Sequence, residues 1–198
     1  MQLNQIELIA MNNPVRRVLQ KQIEFRNFTY LLKKHQIDLS NKKILDLACG
    51  SGYSLKLLNA AFKPSFLVGF DIMSSQISKA ATENSKAHLF RGDLLKLAIK
   101  DNSFDAVFGF GILHHVLDWQ LALKEISRIT KINGYLIMEE PNGSASEFFR
   151  KYCFFQIPKE GQFTFQELLE FASQEGFELI ESRKIIQNSF KSFLLQKK

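Results

Sequence analysis

The chain has 198 residues, 45% hydrophobic and 23% charged, with two cysteines and a formal net charge of +6. That length suits one α/β domain around one core, and the composition excludes a disordered chain, a collagen and a coiled coil. No apolar run approaches the roughly 20 residues of a membrane span, the N-terminal stretch lacks the basic start and apolar centre of a signal segment, and Cys49 and Cys153 form no CxxC or Cys/His cluster; the expectation is a soluble, cytoplasmic protein without a disulfide framework or metal site.

The charge is unevenly placed. Pro14 to Lys43 holds eight basic residues against Glu24 and Asp38, five more follow Glu181 with no acid, and Ile44 to Ser182 carries net −4. The basic ends are read as solvated faces in preference to an RNA or anionic-lipid surface.

Val15, Val18, Leu19, Ile23, Tyr30 and Leu31 keep near-helical spacing, which predicts an amphipathic helix over Pro14–His35. Lys43–Ala48 reads as a short buried strand that ends in the turn CGSG, and Tyr53–Ala61 as the helix after it. Phe66–Phe70 is a second strand closed by Asp71, with Ser74 or Ser75 as N-cap of a helix to about Thr82. His88–Phe90 reads as a weak edge strand before Arg91-Gly92-Asp93, and Phe104–Gly109 as a strand running into GFGILHH. Asp118 is placed to cap a helix to Thr130, and Asn133-Gly134 turns the chain into the strand Tyr135–Glu139. Thr164 and Glu167 form a capping box for a helix to Gln174, stopped by Gly176. Phe177–Ile186 and Phe190–Leu195 follow as strands whose short link permits only antiparallel pairing. Repeated βαβ units predict a doubly wound α/β fold, with the ligand beyond the carboxyl ends of the strands.

The residues at those ends are Asp46–Gly52, Asp71, Gly92-Asp93, Phe110–His115 and Glu139–Asn142. Gly50 and Gly52 let a ligand press against the main chain, and Asp71 stands about 20 residues beyond the glycine turn, where a carboxylate can accept both hydroxyls of a ribose. A dinucleotide fits poorly, because its fingerprint wants a third glycine where Leu55 stands.

ILDLACGSG, VGFDIM, RGDLLKL, FDAVFGFGILHHVLDW and NGYLIMEEP, in this order, resemble the class I S-adenosylmethionine-dependent methyltransferases, in particular the small-molecule, type 11-like branch. The likeness is close over about Lys42–Pro141, and FTFQELLEFASQEGFELIESRKI resembles the last helix and antiparallel strand pair of that family. It implies a mostly parallel, seven-stranded Rossmann-like sheet with an antiparallel C-terminal strand pair. The expected organisation is one domain over 1–198: an N-terminal helical cap (1–41), a cofactor-binding core (42–141), an acceptor cap (142–163) and a C-terminal helix and strand pair (164–198).

The resemblance implies S-adenosylmethionine as cofactor, its methionine part against Asp46, Ala48, Gly50 and Gly52. Asp71 would hold the ribose, Ile72 would pack on adenine, Asp93 with Leu94 would take the adenine amino group, and Phe110 and Gly111 would face the amino end. The family often has glycine where this chain has Ala48, a departure of small cost if that residue keeps negative φ. Outside ligand binding, Asp46 reads as a turn carboxylate and Asp93 as a helix N-cap.

Methyl transfer from a sulfonium needs alignment more than machinery, and for an oxygen acceptor His114 or His115 is placed to act as base. Packing is the competing role for both histidines. Glu139 and Glu140 read either as groups orienting an acceptor or as rim carboxylates. The Asn/Asp-Pro-Pro-aromatic motif of amine methylases is replaced by GFGILHH, and no room is left for a large recognition domain, which disfavours nucleic acid as partner. Phe148, Phe149, Tyr152, Phe154, Phe155 and Phe163 crowd the segment before Thr164, in a chain with 19 Phe and one Trp. The acceptor is therefore expected to be a small, apolar or aromatic molecule under a cap built from Asn142–Phe163 and the N-terminal helix. RNA or protein methylation, and a non-catalytic S-adenosylmethionine-binding subunit, are the alternatives; the sequence leaves the oligomeric state open.

Overall fold

Alternation of short apolar runs with amphipathic segments produces seven strands in a single sheet, seen in a computed structural model that describes residues 13–152, 158–159, 161–186 and 189–198. The strands are β1 (Lys43–Leu47), β2 (Phe66–Asp71), β3 (His88–Arg91), β4 (Phe104–Phe110), β5 (Thr130–Pro141), β6 (Phe177–Ile186) and β7 (Phe190–Lys197), in the spatial order β3-β2-β1-β4-β5-β7-β6. The first five run parallel, and β7 is antiparallel to both β5 and β6. The expected doubly wound sheet with an antiparallel C-terminal pair is observed. The order reverses at β1, which pairs with β2 on one side and β4 on the other, so the crevice for a ligand opens at the carboxyl ends of β1 and β4.

Successive residues of the central strands face opposite sides and divide the core in two. Leu45, Val107, Leu136 and Leu195 pack on one face with Trp119, Leu123, Ile126 and Leu168. Their neighbours Ile44, Ala106, Ile137 and Leu194 pack on the other with Phe28, Leu31, Leu55 and Leu58. Burial on both faces explains why these strands read as continuous apolar runs.

The helices are α1 (Pro14–Leu19), α2 (Arg26–Lys34), α3 (Tyr53–Phe62), α4 (Ser74–Glu83), α5 (Trp119–Ile129), α6 (Gly143–Tyr152) and α7 (Phe165–Gln174). Between α1 and α2 the chain winds as a π segment, Gln20–Phe25, so the single regular helix expected over Pro14–His35 is corrected to two α segments around a wider turn. Two caps differ from expectation. Met73 precedes α4, with Ser74 inside the helix, because Asp71 already accepts a hydrogen bond from the Met73 amide. Asp118 occupies the N-cap position of α5 without a capping side-chain bond. The Thr164–Glu167 capping box forms as expected, with Thr164 Oγ1 accepting from the Glu167 amide at 3.1 Å and Glu167 accepting from the Thr164 amide at 2.7 Å.

No helix among the described residues is long and apolar enough to cross a membrane, and among them no cluster of metal-ligating side chains occurs. Of the aromatic cap segment, Phe163 belongs to the core against Trp119, with ring centres 5.0 Å apart, and Phe148 is exposed. The Phe149 and Tyr152 side chains, and Phe154 and Phe155, lie outside the described residues.

Candidate active site

The turn after β1 is built by backbone geometry. Gly52 has φ +84°, and a Cβ there would lie 2.3 Å from the Asn84 amide nitrogen and 2.9 Å from Ala80 Cβ, so α3 can start this close to α4 only with glycine. Ala48 also has positive φ, +46°. The sequence expectation that alanine here costs little is therefore corrected: the turn demands a left-handed residue, and alanine adopts it at about 1–2 kcal/mol. The Gly50 amide donates to Asp71 Oδ2 at 3.0 Å and the Met73 amide to Asp71 Oδ1 at 2.8 Å, which ties the ends of β1 and β2 together.

Beyond these strand ends lies an open pocket of about 970 Å³, its mouth included. Its walls contain Asp46, Ala48, Gly50, Asp71, Ile72, Phe110, Gly111 and His115 from the expected set. Gly52 shapes the turn from behind, and His114, Asp93 and Leu94 are outside the wall. Asp93 is exposed, its carboxylate accepting from the Leu95 amide at 3.0 Å, and Leu94 is buried in the core. Residues that sequence reasoning missed complete the wall: Arg16, Arg17 and Gln20 from the N-terminal helices, Tyr53 and Ser54 from α3, and Gln76 from α4. Arg16 and Arg17 were visible as charges, yet nothing local shows that they reach a site built more than 25 residues later.

Asp46 is fully buried, and Ser54 Oγ donates to its Oδ2 at 2.5 Å while Oδ1 has no partner. Burial pushes its carboxyl up to about 7, against the opposing Ser54 hydrogen bond. The turn-carboxylate reading of Asp46 does not describe a group this enclosed. Burial also raises Asp71, opposed by the backbone amides that bind it. His115 is enclosed, its Nδ1 unpartnered, and burial holds it well below its ordinary value, helped by the neighbouring His114, so the ring is neutral at physiological pH.

His114 is arranged differently. Its Nδ1 lies 2.8 Å from Glu140 Oε2, and Glu140 also accepts from the backbone amides of Ile112 (2.9 Å), Leu113 (2.8 Å) and His114 (3.3 Å). Glu140 is thus the clamp of the short 3₁₀ turn Leu113–His115, and holds His114 against His115 with ring centres 4.1 Å apart. Glu139 and Glu140 are both buried and line no part of the pocket, which corrects their reading as acceptor-orienting or rim carboxylates.

Four side-chain atoms in this one pocket wall are buried without a hydrogen-bond partner: Asp46 Oδ1, Gln76 Oε1, His115 Nδ1 and Arg17 Nε. Orphaned polar atoms cost about 1–3 kcal/mol each, and these four belong to residues of one wall. Residues 45–138 match the methyltransferase domain family, type 11. Over these residues, just under half of the chain, the sequence is similar to a methyltransferase domain. A demethylmenaquinone methyltransferase from Staphylococcus haemolyticus (strain JCSC1435) is 30% identical over 156 residues, which are 73% of this chain and 65% of that protein. The chain therefore spans less than two thirds of that relative's length. Among solved structures, an S-adenosylmethionine-dependent methyltransferase from Aquifex aeolicus superposes with a TM-score of 0.75 at 14% identity, covering 100% of both chains. The PH0226 protein from Pyrococcus horikoshii OT3 gives 0.73 at 21% identity, covering 95% of this chain and 93% of that one. These two likenesses concern the fold alone.

Proposed function

We propose that the chain transfers a methyl group from S-adenosylmethionine to a small, apolar or aromatic acceptor, leaving S-adenosylhomocysteine. The observation that carries the reading is the convergence of unpartnered Asp46, Gln76, His115 and Arg17 atoms on one pocket beside the glycine turn. The donor set suits a zwitterionic ligand: Asp46 Oδ1 offers an acceptor to an ammonium, and Arg17 Nε a donor to a carboxylate. The bound cofactor would supply an electrophilic methyl already activated on sulfur.

The chain's own residues do the rest. Asp71, pinned by the Gly50 and Met73 amides, presents its carboxylate to the ribose, with Gln76 as a further acceptor and Ile72 as an apolar wall. Phe110 and Gly111 close the side nearest β4. Asp93 and Leu94 stand one strand further out, so the adenine role reaches them only from a ligand extending beyond Ile72. Neutral His115 can accept a hydrogen bond from an acceptor hydroxyl and orient its oxygen, while His114, engaged by Glu140, positions it.

An apolar acceptor is supported by the apolar part of the wall, Leu47, Ile72, Met73, Phe110 and Ile112, and by the naming of the staphylococcal relative for a quinone substrate. In this reading 1–41 and 142–163 serve as caps over the 42–141 core, and 164–198 completes the sheet. Calorimetric titration with S-adenosylhomocysteine tests the core of the proposal: the wild type binds, and Asp71→Asn binds about 10- to 100-fold more weakly through loss of charged hydrogen bonds. A wild-type chain that binds neither S-adenosylmethionine nor S-adenosylhomocysteine overturns it; one that binds the cofactor but turns over no quinol-like acceptor overturns the acceptor class.

A further inference from the structure

The N-terminal helices have one side on the pocket and core and the other in solvent. Arg16 and Arg17 of α1 and Gln20 of the π segment are pocket wall, while Phe28, Leu31 and Leu32 of α2 pack into the core. The exposed side carries Val18, Lys21, Arg26, Tyr30, Lys33 and Lys34, so every charge among these six is positive. Glu24, the one acid of 14–35, is buried and accepts from both terminal nitrogens of Arg16, at 2.5 and 3.0 Å. Glu181 on β6 lies 2.7 Å from Lys34 Nζ and 2.7 Å from His35 Nε2, and Asp38 accepts from the Ser40 amide and hydroxyl at 2.8 and 2.7 Å. The nearby acids are thus engaged, whereas Lys21, Arg26, Lys33 and, from β6, Arg183 enter no ion pair among the described residues. Arg183 lies over the Tyr30 ring, 4.1 Å from its centre, and carries the cationic face across to β6.

Two apolar side chains stand among these cations: Val18 is 57% exposed and Tyr30 47%. Singly, an exposed apolar residue is ordinary. Interspersed with unpaired cations along one helical face, the pair has the composition of a helix lying on a bilayer surface, where Lys and Arg meet lipid phosphates, an aliphatic side chain enters the acyl boundary and tyrosine sits at headgroup level. A nucleic acid would engage the cations and leave Val18 without a partner.

We infer that this face, from Val18 across α2 to Arg183, docks the protein on a bilayer containing anionic phospholipid, with α1 between the lipid surface and the pocket. A few cations and two apolar side chains give peripheral, reversible and salt-sensitive attachment. The same short helix that turns Arg16 and Arg17 to the pocket turns Val18 outward, so the docked pocket stands beside the lipid surface. The consequence for the reaction rests on the function proposed above: an apolar acceptor dissolved in the bilayer reaches the pocket past α1 without crossing bulk water.

Co-sedimentation of the full chain with lipid vesicles, in the absence of any ligand, tests the surface. The wild type binds vesicles of phosphatidylcholine and phosphatidylglycerol in equal amounts, does not bind phosphatidylcholine alone, and is released by salt. Lys21→Gln/Arg26→Gln/Lys33→Gln loses about fivefold in vesicle affinity per cation, about 100-fold in all, and keeps its solution affinity for S-adenosylhomocysteine. Lys96→Gln/Lys100→Gln/Lys124→Gln removes the same charge from exposed positions on the side of α5 and keeps wild-type vesicle binding. Val18→Ser/Tyr30→Ser weakens vesicle binding with every cation of the helices in place. Failure of the wild type to bind the anionic vesicles, equal losses in the two triple variants, or binding to polyuridylate without binding to vesicles overturns the docking surface. A wild type that binds the anionic vesicles through this face and binds no S-adenosylhomocysteine keeps the surface and overturns the functional reading instead.

Discussion

Replacing Asp46 by asparagine should separate the cost of this carboxylate from its use. The side chain is fully buried, has one partner, Ser54 Oγ, and titrates near 7 where an ordinary aspartate titrates at 3.8. Each pKa unit corresponds to 1.36 kcal/mol, so the displacement represents about 4 kcal/mol of differential interaction, with burial as its main cause. Because the native-state value is raised, the contribution is present below pH 3.8 and is lost as pH rises toward 7. Wild-type unfolding free energy should therefore fall over that window relative to Asp46→Asn, by up to about 4 kcal/mol near neutrality. Asparagine retains an oxygen for Ser54, so the variant should be the more stable protein at pH 7 in urea denaturation. Ligand binding should show the opposite preference. An ammonium against Oδ1 favours the ionised carboxylate, so S-adenosylhomocysteine binding at or below neutral pH should release up to one proton from the wild type and none from this site in Asp46→Asn. The variant should bind about 10- to 100-fold more weakly. Calorimetry in buffers of different ionisation enthalpy measures the protons directly. Equal proton release and equal affinity in the two proteins would refute the role of Asp46, and a pH-independent stability difference would refute its perturbed ionisation.

Three further outcomes follow from the geometry. Ala48→Gly relieves a left-handed alanine at +46° and should raise the unfolding free energy by roughly 0.5–1 kcal/mol, the strain released less the added backbone entropy; thermal melts measure it. Glu140→Ala removes the acceptor for the Ile112, Leu113 and His114 amides and should destabilise the fold by about 3–5 kcal/mol, whereas Glu140→Gln, which keeps one oxygen, should lose about half of that in denaturant titrations. With an oxygen acceptor, His115→Ala should lower kcat by about 10² with near-normal S-adenosylhomocysteine affinity, and full activity of that variant would leave His115 a packing residue.

Legibility in the sequence followed the range of the physics involved. The five parallel strands, the capping box at Thr164 and the antiparallel ending were readable because each depends on residues a few positions apart: runs of apolar side chains, a threonine three residues before a glutamate, a link too short for a crossover. Asp46 and Asp71 were readable as strand-end carboxylates for the same reason. The π turn at Gln20–Phe25 was not, because its helical spacing differs from a regular helix by a single residue per turn.

What the amino-acid order alone determined about this protein is its alternation of elements, hence its sheet, and which side chains stand at the sheet's carboxyl edge. What those side chains do was decided by packing. Two adjacent histidines are equivalent as letters, yet Glu140 takes His114 while His115 faces the pocket unpartnered. Two adjacent glutamates, both buried, are equally alike as letters, yet it is Glu140 that accepts the amides of a turn more than 20 positions earlier. Arg16 and Arg17 become pocket wall only because the N-terminal helix docks there. The physical reason is that hydrophobic periodicity is local, whereas hydrogen-bond partnership, desolvation and ionisation depend on which distant atoms share an enclosed space.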